Sequence, residues 1–283
     1  MNIAVISPAS ANCGTTTIAS FIALELGARG KKTCLTHTSP KSSSMLGYFG
    51  FDEDDEDKTA NPSRMVRMLK EGILKREEIS EYCRPVNNTT EIYSANDANF
   101  NHEDMNYALE YIVNTFPHDF VVFDIDTKDF DNDNVKLVLS KCDFVILVIE
   151  QSLYELNHFK DGYKKIERYI KGKPQMMIVN RYNPVIGKVN DFADALGIKN
   201  IRKTSSWLYL RYNPYITKYE INGKIQSLHT AMRTNDSRII EISSDVKNIV
   251  NRIMKFKTAR LRGRLAVKEA ENTQSNESNS ETQ

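Results

Sequence analysis

A chain of 283 residues, 40% of them apolar, is long enough to bury one large α/β core or two small ones. Its 38 Lys and Arg against 37 Asp and Glu exclude a global field that would select nucleic acid or membrane, so any such preference must be local. No apolar run approaches the ~18 residues that a membrane span requires.

The chain opens on a short apolar strand, 2–7, followed by a loop of small residues, PASANCGTTT (8–17), and a helical pattern over 16–29. Strand, small-residue loop and helix is the layout of a phosphate loop, where backbone N–H groups at a helix N-terminus cradle phosphates. Such a loop carries a lysine just before its Ser/Thr pair, to reach the β- and γ-phosphates. Here Thr15 stands in that place. The loop has kept its shape and lost its charge.

Beyond it, apolar runs predict strands at 32–37, 90–95, 119–124, 143–150 and 175–180, with a weaker one at 200–204. Helical spacing fills the intervals at 62–72, 76–83, 104–115, 133–141, 153–171, 187–196 and 237–257. Near-continuous Val/Ile/Leu/Phe strands alternating with helices specify a doubly wound, mostly parallel sheet in a single domain. Ligands of such sheets sit beyond the carboxyl ends of the strands.

Four cysteines, Cys13, Cys34, Cys83 and Cys142, lack zinc or CxxC spacing. Without a signal peptide they read as reduced thiols of a cytoplasmic protein. The five histidines show no ligand spacing, and DFDNDN (129–134) lacks the glycine and the final glutamate of a calcium loop. Residues 52–57, DEDDED, read as a solvated acidic loop. Residues 252–268 carry seven basic side chains and no acid, along with an apolar helical stripe. The polar end, 269–283, is too hydrophilic to fold alone and reads as disordered. The division expected is therefore 1–255 for the globular domain, 256–268 for a basic helical extension and 269–283 for the tail.

Taken together, these motifs resemble the ParA/MinD family of deviant Walker A P-loop ATPases. Laying that family's KGGxGK[ST][ST] on 10–17 matches Gly14, Thr16 and Thr17, while Ser10 and Thr15 replace both lysines. CGTTT (13–17) is most similar to the loop of the TadZ/CpaE pilus-localisation subgroup. GKKTCLTH (30–37) resembles the family's second strand, with His37 and Ser39 where two aspartates are expected. HDFVVFDID (118–126) resembles the Walker B strand, and IVNRYNP (178–184) resembles the strand end that reads adenine.

The resemblance implies ATP with Mg²⁺ as cofactor. Gly14, Thr15, Thr16 and Thr17 would hold phosphate, Thr16 and Asp124 the metal, and Asn180 and Arg181 the base. With lysines and aspartates replaced, no catalytic residue is assigned, and Lys32 and Lys41 are the candidates to compensate. Hydrolysis would be slow or absent. The implied role is a nucleotide-binding regulatory or positioning protein that works as a homodimer with a protein partner. Its location would be cytoplasmic, or peripheral at the inner face of the membrane if 252–268 meets an anionic membrane surface. The alternatives are a nucleotide-free pseudo-ATPase scaffold, and an active partition-type ATPase whose basic tail holds DNA or another nucleic acid.

Overall fold

A computed structural model describes residues 1–9, 13–39, 44–51, 61–94, 100–125, 130–197, 206–234 and 236–280. Eight strands form one sheet in the order β3-β4-β2-β5-β1-β6-β7-β8. They are β1 (Asn2–Ile6), β2 (Thr33–His37), β3 (Arg84–Asn87), β4 (Thr90–Tyr93), β5 (Phe120–Asp124), β6 (Phe144–Glu150), β7 (Gln175–Tyr182) and β8 (Ser206–Arg211). All neighbours are parallel except the β3–β4 pair, an antiparallel hairpin at the edge. That hairpin closes on Asn87, whose side chain accepts the N–H groups of Thr89 and Thr90 at 3.0 and 2.9 Å.

The strands are apolar on both sides because both sides are covered. On β1, Ala4 and Ile6 join one core while Ile3 and Val5 join the other, the period-two alternation of a pleated strand. One face packs α3 (Pro62–Lys70), α4 (His102–Thr115), α5 (Asp133–Lys141), α6 (Leu153–Ile170) and α7 (Val189–Leu196). The other packs α1 (Thr15–Ala28), α2 (Ser44–Tyr48), α8 (Pro214–Ile221), α9 (Ile225–Ala231) and α10 (Ile240–Ser280). Helix α1 is buried along nearly its whole length. Its one buried acid, Glu25, is held by His229 Nε2 at 3.1 Å and Arg29 Nε at 2.9 Å. Burial works to raise the Glu25 pKa, but these two partners prevail and hold it below the usual carboxylate value.

Several expectations are adjusted. The segment 76–83 is a 3₁₀ turn, Arg76–Tyr82, rather than an α-helix. The strand expected at 200–204 and the acidic run 52–57 lie outside the described residues, and the eighth strand is Ser206–Arg211. β3, α2, α8 and α9 had no counterpart in the sequence reading. DFDNDN contains a helix cap: the Asn132 side chain accepts the Asn134 N–H at 2.9 Å and starts α5. The four cysteines are buried. The backbone of α10 runs through both the basic extension 256–268 and most of the polar tail, to Ser280.

Part of the basic stretch anchors this last helix to the amino ends of the strands. Lys257 Nζ lies 4.0 Å from the Phe120 ring centroid and donates to the Asp119 carbonyl at 3.1 Å. Arg260 pairs with Asp143, which also accepts the Asn2 N–H at 2.8 Å, and Phe256 packs on Phe144. Burial works to raise the Asp143 pKa, but the Asn2 N–H and Arg260 outweigh it and keep the carboxyl ionised to lower pH.

Candidate functional site

Strand β1 lies between β5 and β6, where the winding of the sheet reverses, so the loop leaving it opens into the crevice at the carboxyl ends. Gly14 begins α1 with φ 78° and ψ 34°, and no side chain caps the helix. That leaves the first-turn amides and the positive end of the helix dipole facing the crevice, the arrangement that favours an anion.

The loop is held from beneath and behind. Asn180, at the end of β7, donates its amide Nδ2 to the Cys13 carbonyl at 2.8 Å and is only 4% exposed. A Cβ on Gly14 would stand 2.2 Å from that same amide nitrogen, so only glycine fits. Helix α6 adds two contacts. Cys13 Sγ meets Glu155 Oε2 at 3.4 Å, and a Cβ on Gly162 would lie 1.9 Å from the Pro8 carbonyl oxygen. A glycine in the middle of a long helix was the available sign of that close approach.

Thr16 Oγ1 donates to Asp124 Oδ2 at 2.6 Å, joining the first turn of α1 to the end of β5. An alcohol and a carboxylate meeting at the first turn of α1 form a hard-oxygen donor pair of the kind that suits Mg²⁺. The sequence assigned the metal to these two residues, and the fold brings them together. Among the described residues no group of three or more His, Cys, Asp or Glu forms a metal cage. A metal here would depend on phosphate and water for its remaining ligands.

The other predicted residues are distributed as follows. Thr15 and Thr17 are buried in the first turn of α1, 8% and 5% exposed. Arg181 adopts φ 50° and pairs with Glu150 Oε1 at 2.8 Å. Burial raises the Glu150 pKa, with Arg181 opposing. His37 ends β2 in register with Asp124 and meets Ser94 Oγ at 2.9 Å, so the place where the resemblance expects an aspartate holds a buried imidazole. Lys32 is not near the crevice: it precedes β2 at the amino end, where its N–H is held by Asp119 Oδ2 at 3.1 Å. Lys41, together with Ser10, lies outside the described residues.

Sequence reasoning missed two side chains at the loop. Thr17 Oγ1 donates to Glu220 of α8, and Tyr48 of α2 lies beside this pair. Burial raises the pKa of Glu220, against the pull of Thr17 and Arg181. Burial also raises that of Tyr48, reinforced by the Glu220 charge. Nothing local in the sequence marks either residue, because both arrive from elements that follow other strands.

No protein-family model and no curated protein matches the chain. Solved structures do. The MinD protein in the MinC:MinD cell-division complex of Aquifex aeolicus superposes with TM-score 0.65 at 16% identity, covering 90% of this chain and 95% of that one. MinD of Pyrococcus horikoshii, complexed with Mg-ADP, gives 0.65 at 15%, covering 90% and 96%. A ParA-family ATPase of Chlorobium tepidum gives 0.67 at 14%, covering 88% and 96%. The chain has the MinD/ParA fold. With nearly the whole length matched on both sides, the MinD/ParA architecture accounts for the sheet order and for the crevice at β1. At this level of identity it establishes the architecture alone.

Proposed function

We propose that this protein is a ParA/MinD-type nucleotide-binding positioning or regulatory protein with slow or absent ATP hydrolysis. The observation that carries the reading is the Thr16–Asp124 hydrogen bond, 2.6 Å long, beside the uncapped N-terminus of α1. Phosphate would take the first-turn amides and the hydroxyls of Thr15 and Thr17, and Gly14 leaves the backbone open to it. ATP with Mg²⁺ would supply the triphosphate charge and the bridging metal, held by Thr16 and Asp124. The degenerate loop, with Thr15 in place of lysine, removes a charge-assisted contact of about 1.5–3 kcal/mol, so affinity is weak. Asn180 would read adenine only after releasing the Cys13 carbonyl; in its present position it supports the loop. Arg181 would flank the base from the exposed lip.

The carboxylates that would position water are replaced, and His37 is engaged with Ser94. This supports a slow switch of the TadZ/CpaE kind, cytoplasmic, acting as a homodimer and recruiting a protein partner. Calorimetry with Mg-ATP tests the reading, alongside a Thr15→Lys variant that restores the missing ammonium. The variant is expected to bind about tenfold or more tightly than the unsubstituted chain. Absence of heat in both would remove the reading. It would leave the nucleotide-free pseudo-ATPase scaffold, which the buried Glu220–Thr17 contact favours. DNA-stimulated phosphate release abolished by Asp124→Ala would instead support a partition-type ATPase.

A further inference from the structure

Glu220 and Tyr48 come from distant parts of the chain and meet beside Thr17, whose hydroxyl donates to Glu220. What brings them there is a backbone contact. Gly50 follows α2 with φ 75°, and Gly223 follows α8 with φ 63°. A Cβ on Gly50 would lie 2.6 Å from the Gly223 carbonyl oxygen, and one on Gly223 would lie 2.7 Å from the Gly50 Cα. The two turns press together with no room for a side chain, which sets the short helices behind them, and with them the phenol and the carboxylate, side by side.

The position they fill is the first turn of α1, whose amide donors and dipole favour an anion. Glu220 is an anion supplied by the chain itself, and a carboxylate and a triphosphate cannot share that seat without repulsion. Arg181 is the described cation that acts on Glu220, and the loop adds none at Thr15. Helix α8 buries Ile216 and packs Tyr215 and Tyr219 partly against the core, whereas Ile221, next to Glu220, is 80% exposed.

We propose that Glu220 and Tyr48 form an autoinhibitory latch, which occupies the phosphate end of the crevice and must withdraw with α8 before a nucleoside triphosphate can enter. The proposal rests on the nucleotide reading above. It assigns regulation to that site: whatever displaces α8 raises nucleotide affinity, and nucleotide in turn displaces α8.

The test is the Mg-ATP affinity of the full chain and of Glu220→Gln, Tyr48→Phe and the double variant. Each is measured with Thr15 and again with the Thr15→Lys substitution. Glutamine keeps the volume and an acceptor for Thr17, so the fold is retained and only the charge is lost. Tyr48→Phe provides a second variant that leaves α8 intact. Removal of the Glu220 charge is expected to tighten binding about tenfold, equivalent to about 1.4 kcal/mol, with a further gain in the double variant. Affinities within about twofold of the parent in both backgrounds would overturn the latch while leaving nucleotide binding in place. No binding by any chain, including those with Thr15→Lys, would overturn the nucleotide reading, and the latch with it.

Discussion

At Gly14 the chain enters α1 with φ 78°, in the left-handed region where any β-carbon is strained, and the space a Cβ needs is filled by the Asn180 amide. Gly14→Ala therefore combines a backbone cost with a steric one. It is expected to destabilise the protein by roughly 2 kcal/mol or more, read as a lower urea midpoint at unchanged slope. The same pair shows how residue-level reading divides. The glycine was legible because phosphate loops need close backbone approach. The position of Asn180 was not, because β7 had to be laid two strands from β1 before its side chain could be seen reaching Cys13. Thr16 and Asp124 were assigned from the order of motifs, and their 2.6 Å contact follows from the register of β5 against β1. Glu220 and Tyr48 carry no such sign.

Among the elements, α10 shows how a helix can be tied to the sheet by a buried acceptor as well as by its apolar stripe. Asp245, 3% exposed, accepts the Arg211 N–H of β8 at 3.1 Å, and burial pushes its pKa up to about 6 from 3.8 despite Arg211. A raised carboxyl pKa means that the folded state binds a proton the unfolded state has released. This group therefore favours folding increasingly as pH falls from above about 6 towards 3.8, and costs stability above that window. Asp245→Asn retains an acceptor without charge. It is expected to raise stability by roughly 1 kcal/mol at pH 8, with the gain disappearing near pH 4, in melts followed across that range. The same scale explains the missed elements. Helices α2 and α9 are five and seven residues, too short for a 3.6-residue period to separate them from loop, and β3 is four residues at a sheet edge. The long elements, with their continuous apolar runs, were plain.

For the molecule as a whole, the sheet divides the interior into two cores, and the crevice sits where the direction of winding changes. Composition had placed any affinity for anionic surfaces in 252–268. The fold narrows it, because Lys257 and Arg260 hold Asp119 and Asp143 at the base of the sheet. Among the described residues no helix is long and apolar enough to cross a membrane. A surface role for Arg262, Arg264 and Lys268 is tested by cutting after Arg260, so that the anchoring residues stay in place. If these residues serve as a membrane contact, the full chain sediments with vesicles containing anionic lipid at low salt, and the shortened chain does not. Equal sedimentation of the two would dismiss the contact.

By itself, the order of apolar strands and helices determined the layered α/β architecture and the location of the phosphate-loop layout after the first strand. Those features depend on local periodicity and on glycine at one turn, and both are written in contiguous residues. Only the tertiary structure decided what sits at that loop: Asn180 under it, Glu155 and the helix bearing Gly162 behind it, and Glu220 with Tyr48 at its mouth. Each of these is a contact across more than 30 positions of sequence, set by strand order and by the seating of short helices. No local pattern of residue types encodes such a meeting.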